Sequence, residues 1–299
     1  MIKIIKLISC LIPFREKRHH FRNKYALKFL PKASGELRIL QNALYFMLEN
    51  LKEICEKNKI PYWIQAGTLL GAYRHQGWIP WDDDLDVGML EVDLRKLKQV
   101  MKNHPVFRID DYYHFKDHYV GRFTRMKFRD ERFNCFLDIP VYEYCDEKNI
   151  DDAWNKILDI RQNFIQKAVL LSNKLTKVYD NEIITNLEDL KIVEDFYNIE
   201  IDKVHKTNGK YIYWATYCVP AKWKRCFPKQ IFFPLKKLKF EDKFYSVPNC
   251  FKEYLSLQYG DVSKTPCDIK PRHVKDFELF KNIELLPVYI NGLKEKNNG

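Results

Sequence analysis

Residues Gly67–Met89 read GTLLGAYRHQGWIPWDDDLDVGM, and the choice of fold turns on them. Four of the chain's ten glycines (Gly67, Gly71, Gly77, Gly88) lie here, and Trp63, Trp78 and Trp81 cluster in and beside the stretch. At its centre Asp82, Asp83, Asp84 and Asp86 place four carboxylates in five positions, bordered by apolar residues. Such a run is unfavourable unless positive charge sits among the acids. The segment Leu85–Met89 predicts a strand, on which residues two apart share a face. Asp84 and Asp86 then point one way and Leu85 turns to the core. Two carboxylates on one strand face suit Mg²⁺ or Mn²⁺. A solvated acidic turn after Pro80 is the plainer alternative, and the apolar flanks and glycines weigh against it.

Outward from this stretch, apolar residues at Leu40, Ala43, Leu44, Met47, Leu48, Leu51 and Cys55 predict one face of a helix over Glu36–Lys59, ended by Pro61. Tyr62–Ala66 predicts a short buried strand, Gly67–Ala72 a helix or turn, and Glu91–Asn103 a helix. Phe107–Asp110, Val120–Arg129 and Phe136–Glu143 predict strands. Asp151–His205 is helical in pattern. Aromatic, proline-punctuated pieces follow, with a hairpin over Phe240–Val247 and a short helix over Phe251–Gln258 stopped by Gly260. The expectation is an α+β chain: a mixed sheet flanked by helices in the first half, then a helical second half. Three portions are expected, namely a basic and apolar segment over 1–35, a catalytic core over 36–150, and a helical, aromatic-rich portion over 151–299 that completes the site.

Neither GxxxxGK[ST] nor GxGxxG occurs, so neither a P-loop nor a dinucleotide fold is indicated. Gly67-Thr68 offers instead a bare backbone and a hydroxyl to a phosphate. A glycine followed by Ser or Thr, an Asp-x-Asp on a strand, and a lone acid on a later strand form the pattern of the nucleotidyltransferase fold. More specifically, Gly67–Met89 resembles the signature of the LicD/fukutin family, including Arg74-His75 and Pro80-Trp81-Asp82. The likeness continues at Phe136-Leu137-Asp138-Ile139 and near Leu257-Gln258-Tyr259-Gly260-Asp261.

The resemblance implies transfer of a phosphate-bearing group from a CDP-activated alcohol to a glycan. Asp84 and Asp86 are then expected as metal ligands, with Asp138 as third acid, either a ligand or the base that takes the acceptor's proton. Gly67 and Thr68 are expected to line the donor phosphates, Asp82 to orient the loop or a metal-bound water, and Arg74 and Lys127 to balance phosphate charge. Arg125 shares a face with Lys127, which a solvated strand face explains nearly as well. The expected reaction is metal-dependent transfer of phosphocholine from CDP-choline to a sugar hydroxyl of a cell-surface glycan, with release of CMP. Ribitol phosphate or another polyol phosphate is the alternative within the family, and a silent membrane-associated scaffold or a template-independent nucleotidyltransferase the alternatives outside it. His114 and His118 read as surface histidines. The aromatic set Tyr211, Tyr213, Trp214, Tyr217, Trp223, Phe232 and Phe233 reads as core, with an aromatic cage for a quaternary ammonium as its functional counterpart.

At 299 residues, with 46% hydrophobic and 30% charged residues, the chain has ample material for a core and is not of disordered composition. Its net charge of +11 is concentrated: residues 1–38 hold ten Lys/Arg against Glu16 and Glu36. The main body is therefore near neutral, and a nucleic-acid partner is not expected. Met1–Phe14 is apolar with two lysines and runs into REKRHHFRNK. That order is wrong for a signal peptide and suits an interfacial anchor on anionic lipid, so residues 1–30 are expected to hold the protein to the cytoplasmic face of a bacterial membrane. The eight cysteines show no CxxC and read as buried thiols in a reducing compartment.

Overall fold

The computed structural model describes residues 2–15, 17–18, 21, 32–116, 119–179, 182–217, 224–262 and 280–298. His118, Trp223, Cys218, Cys267 and the basic positions 22–31 lie outside these. Helix α1 (Ile2–Cys10) comes first, followed by α2 (Gly35–Lys57), whose apolar stripe from Leu40 to Cys55 is buried as the spacing predicts. Strand β1 (Trp63–Ile64) leads directly into α3 (Ala66–His75), which settles the helix-or-turn choice for Gly67–Ala72 as a helix. Strand β2 (Val87–Leu90) and helix α4 (Glu91–Met101) follow. The long strands β3 (Phe107–Lys116) and β4 (Tyr119–Phe128) pair antiparallel over their whole length, so β3 outruns its predicted end at Asp110.

The predicted strand Phe136–Glu143 divides in two. Its first part, β5 (Phe136–Asp138), pairs with β4 and closes a three-stranded sheet of order β3-β4-β5. Its second part, β6 (Val141–Cys145), runs parallel to β2 in a separate sheet. Between them Ile139 N–H still donates to Thr124 O, whereas Pro140 O accepts from Met89 N–H, so the chain changes partners within two residues. Proline has no N–H to keep the first ladder going.

Helices α5 (Ile150–Ser172) and α6 (Leu187–Val204) are each started by an asparagine, Asn149 and Asn186, whose side-chain oxygen accepts two backbone N–H groups of the first turn. Strands β7 (Tyr211–Trp214) and β8 (Cys226–Pro228) then extend the main sheet to the order β1-β2-β6-β7-β8. The portion after residue 150 thus contributes two strands to the sheet that carries β2. The short helix α7 (Lys229–Phe232), the hairpin β9 (Lys236–Phe240) and β10 (Lys243–Val247), α8 (Phe251–Tyr259) and α9 (Leu286–Asn298) complete an α+β fold, a mixed sheet flanked by helices with a largely helical second half.

Two cores result. The larger packs α2, α3, α4, β2 and the hairpin around Trp63, Met89 and Phe232, and the smaller packs α5 and α6 against Tyr113, Val120 and Tyr213. The described cysteines are free thiols, and four of them (Cys55, Cys135, Cys145, Cys226) are buried. No described helix is long and apolar enough to cross a membrane.

Candidate active site

The acidic run lies between α3 and β2 and is pinned from both ends. Gln41, buried on α2, donates to Asp82 O at 2.9 Å and to Ile79 O at 3.4 Å. Gln65 N–H donates to Asp86 O at 3.1 Å. Regular strand begins at Val87, two residues later than predicted, yet the alternation extends upstream of it. Asp83 and Leu85 are buried, at 3% and 1% exposure, while Asp82, Asp84 and Asp86 lie on the more open side.

Asp138 arrives from the other sheet. Its N–H donates to Leu85 O at 3.0 Å, and Asp86 and Asp138 form a parallel bridge. Bridged residues on adjacent strands carry their side chains on the same face, so these two carboxylates emerge next to each other. Burial, and after it the charges of Asp84, Asp138 and Asp82, push the Asp86 carboxyl well above the ordinary carboxylate range, and Arg225 opposes the shift. The structure therefore brings Asp84, Asp86 and Asp138 to one place, with Asp82 close enough to act on them.

Two arginines complete the electrostatics. Arg125 donates Nε–H to Asp138 Oδ1 at 2.9 Å, with its guanidinium 3.7 Å over the Phe136 ring. The register pairs Arg125 with Asp138 directly across β4 and β5, so the alternation that set Arg125 beside Lys127 was its sequence signal. Arg225, immediately before β8, lies 3.8 Å over the Trp214 ring and acts on Asp86 from there. It follows Asp86 by well over a hundred residues, and nothing local in the sequence marks it.

The remaining expected residues take varied places. Thr68 is 2% exposed, and its Oγ1 accepts the Asp86 N–H at 3.0 Å. Gly67 lies against Asp82: a Cβ there would sit 2.8 Å from Asp82 Oδ2, so the Asp82 carboxylate occupies the first turn of α3, where a helix favours negative charge. Arg74, in the last turn of α3, donates to Val262 O and faces Asp261, which ties it to the chain after α8. Lys127 is opposite Phe136, two register positions beyond Arg125 on the same face, with Nζ 5.4 Å from the Tyr112 ring. His114 lies half-buried on β3 and itself forms an antiparallel bridge with Ile183.

The donors fit a hard divalent cation in kind. They are clustered carboxylate oxygens, one of them held above its normal range by burial and, after it, by the charges of the others. As placed, however, no three acidic, histidine or cysteine side chains among the described residues form a ready metal site, since Asp138 gives Oδ1 to Arg125.

A cleft of about 220 Å³ opens beside the aspartates, where β4 and β5 part from β6 and β7. Asp86 and Asp138 line it together with Tyr197, Trp214 and Tyr217. Of the aromatic set, Tyr213, Tyr217 and Phe232 are buried core, as read; Tyr217 also borders this cleft, as does the half-buried Trp214.

Residues 59–178 match the LicD/FKTN/FKRP nucleotidyltransferase domain. The resemblance read in Gly67–Met89 and at Asp138 is borne out, and both stretches fall inside the match. The lipopolysaccharide cholinephosphotransferase LicD of Haemophilus influenzae is 26% identical over 269 residues, which cover 80% of this chain and 97% of that protein. The ribitol 5-phosphate transferase FKRP of Mus musculus is 27% identical over 124 residues, 40% of this chain and 24% of that protein. An uncharacterised protein of Rickettsia prowazekii is 51% identical over 59 residues, 20% of this chain and 22% of that protein. The LicD-type match thus covers β1 to the end of α5, the segment that supplies Asp82, Asp84, Asp86 and Asp138.

Proposed function

We propose that this protein transfers phosphocholine from CDP-choline to a sugar hydroxyl of a cell-surface glycan of the lipopolysaccharide, capsule or teichoic-acid type, releasing CMP. The observation that carries the reading is the bridge that sets Asp138 beside Asp86, with Asp84 also acting on Asp86, inside the stretch that matches a LicD-type domain. The alignment with the Haemophilus influenzae cholinephosphotransferase along nearly its whole length supports the reaction class. The aromatic wall of the cleft supports the choline headgroup, since ring faces and carboxylates both attract a quaternary ammonium.

In the reaction the acceptor oxygen attacks the phosphorus nearest choline, and the bond from that phosphorus to the oxygen of CMP breaks. The hydroxyl proton passes to a carboxylate, and Asp138 is either that base or the third ligand. Asp84 and Asp86, with Asp138 as third acid, would hold Mg²⁺ or Mn²⁺, which when bound would polarise the diphosphate and neutralise the leaving group. Arg125 holds Asp138 in place through its Nε–H on Oδ1. Thr68 fixes the backbone of Asp86, and Arg225 lowers the charge imbalance beside it.

The test is CMP release by purified protein with CDP-choline, a glycan acceptor and Mg²⁺. Asp84→Asn should lower turnover by more than about a hundredfold while leaving the melting temperature within a few degrees. Equal CMP release by Asp84→Asn and wild type sinks the proposal and returns the scaffold reading. The mouse FKRP alignment favours one second reading, transfer of ribitol phosphate from CDP-ribitol, and the same assay with that donor separates the two.

A further inference from the structure

The β3-β4-β5 sheet has two unlike faces. Toward the core it presents Phe107 opposite Phe128, and Ile109 opposite Met126 opposite Leu137. On its outer face the register builds three rows: Arg108–Lys127–Phe136, Asp110–Arg125–Asp138 and Tyr112–Phe123. Asp138 thus belongs both to the carboxylate cluster and to the middle row of this face.

The rows are stacked as well as paired. Arg125 lies between the Phe136 ring, at 3.7 Å, and the Tyr112 ring, at 5.4 Å. Arg108 bridges Asp110 at 2.8 Å and Glu131 at 3.3 Å. Phe123 is 42% exposed and lies at the mouth of the aspartate cleft. Past Tyr112 the face continues into an open groove of about 930 Å³ between the edge of β3 and the start of α6, lined in part by Arg108, Tyr112, Arg129, Glu131 and Thr185.

Along the face and the groove, basic side chains outnumber acidic ones by one, with Glu131 and Glu194 among the acids, but the basic ones include several that are not paired among the described residues. Lys127 touches the Tyr112 ring, and Arg129 donates to the carbonyls of Lys102 and His104. Lys102, Lys127 and Arg129 form no ion pair among the described residues, whereas Asp110, Asp111 and Asp138 each have a basic partner.

The face is therefore flat, aromatic and dense in fixed donors and acceptors, and it ends at Asp138. From Phe123 to Lys127 it extends roughly 13 Å along the strand. Aromatic faces match the C–H faces of sugars, fixed guanidinium and carboxylate groups match their hydroxyls, and Lys102, Lys127 and Arg129 match acidic substituents. An apolar helix or peptide would bury those ion pairs without replacing their hydrogen bonds, which is costly.

We propose that the outer face of the β3-β4-β5 sheet, with the groove beyond it, binds the acceptor as an oligosaccharide bearing anionic groups and leads its reactive hydroxyl to Asp138. The proposal deepens the transferase reading and rests on it for the identity of the reaction, but not for the binding itself.

Binding can be tested without any CDP-alcohol. Calorimetric titration of the full chain uses phosphorylated core oligosaccharide released from lipopolysaccharide, and teichoic-acid fragments in a second series. At least one should bind, about tenfold or more weakly to Phe123→Ala and to Lys127→Ala. Removing the phosphates from the bound glycan should weaken it further. Both positions are at the surface, so unchanged melting temperatures show that folding is intact. Three results overturn the proposal: no binding of either glycan at millimolar concentration, binding untouched by both substitutions, or equal binding of heparin as a generic polyanion. A thermal-shift titration with CDP-choline, run in parallel, reports on the donor alone, so failure of the transferase reading is seen separately.

Discussion

Replacing Thr68 by valine separates two roles for one hydroxyl. The sequence pattern places it on the donor phosphates, whereas in the structure it accepts the Asp86 N–H at 3.0 Å from a position 2% exposed. Valine keeps the shape and removes the acceptor. The Asp86 amide would then lose its partner in a place that water reaches poorly, at a cost of about 1–3 kcal/mol. For a chain of this size each kcal/mol corresponds to roughly 2–4 °C in melting temperature, so a fall of roughly 2–12 °C is expected. Serine restores the oxygen and should recover most of that loss. The assay is calorimetric melting of the wild type, Thr68→Val and Thr68→Ser, followed by donor KM in the CMP-release assay. A positioning role predicts that kcat falls along with stability, because Asp86 is no longer held, and that donor KM changes little. If Thr68→Val melts with the wild type and only the donor KM rises, the hydroxyl touches phosphate and the positioning argument fails.

Two further tests address other parts of the molecule. Glu143 on β6 is 1% exposed, and burial raises its carboxyl to about 7 against the partial relief given by His205, whose Nδ1 lies 2.7 Å away. Between an unfolded value near 4.5 and that folded value, the folded state keeps a proton that the unfolded state releases, so stability drops as pH rises through this window. Relative to Glu143→Gln, the wild type should lose on the order of 3 kcal/mol between pH 4.5 and 7.5, read from paired denaturant titrations, and a gain instead would contradict the assignment. Helix α1 and the turn after it expose Ile4, Leu7, Ile8, Leu11 and Phe14 ahead of a basic tract. We therefore expect co-sedimentation with phosphatidylglycerol vesicles, lost on deletion of residues 1–30 and weakened by salt, whereas equal sedimentation with phosphatidylcholine vesicles or none with either argues against a membrane role.

The parts of this fold that were legible in the sequence are those set by neighbours in the chain. The buried stripe of α2 follows its own spacing, and the split of Asp83 and Leu85 from Asp84 and Asp86 follows strand alternation. What the sequence hid depends on distant partners. Phe136–Glu143 is one apolar run, and only the exchange of β4 for β2 at Ile139-Pro140 makes it two strands. Arg125 was visible as a surface cation but not as the partner of Asp138, because that pairing needs the register of β4 against β5. Arg225 reaches Asp86 only because β7 and β8 extend the main sheet from the far half of the chain. Thr68 shows the limit from the other side: glycine followed by a hydroxyl is the same pattern whether the oxygen meets a phosphate or the amide of a neighbouring strand.

The exchange of partners at Ile139-Pro140 also explains why the acids have to crowd. Asp138 is the last residue of one sheet, Asp86 lies at the leading end of a strand in the other, and the Asp138 N–H to Leu85 O bond fixes their backbones side by side. Adjacent strands lie roughly 4.8 Å apart, and two like charges at that distance repel by about 3 kcal/mol at an effective dielectric constant of 20. Rotamer changes relieve only part of this, because Leu85 and Asp83 already take the core side and leave the open side to the acids. Arg125 offsets Asp138 and Arg225 acts on Asp86, but Asp84 and Asp82 add to the repulsion faster than the two arginines remove it, since burial and acid charges still raise Asp86. A chain optimised for stability alone would place an apolar residue at one of these positions. Local rules are broken here while they are obeyed in α2, α5 and α6, and such concentrated conflict marks a place where charge is held ready for a partner of opposite sign.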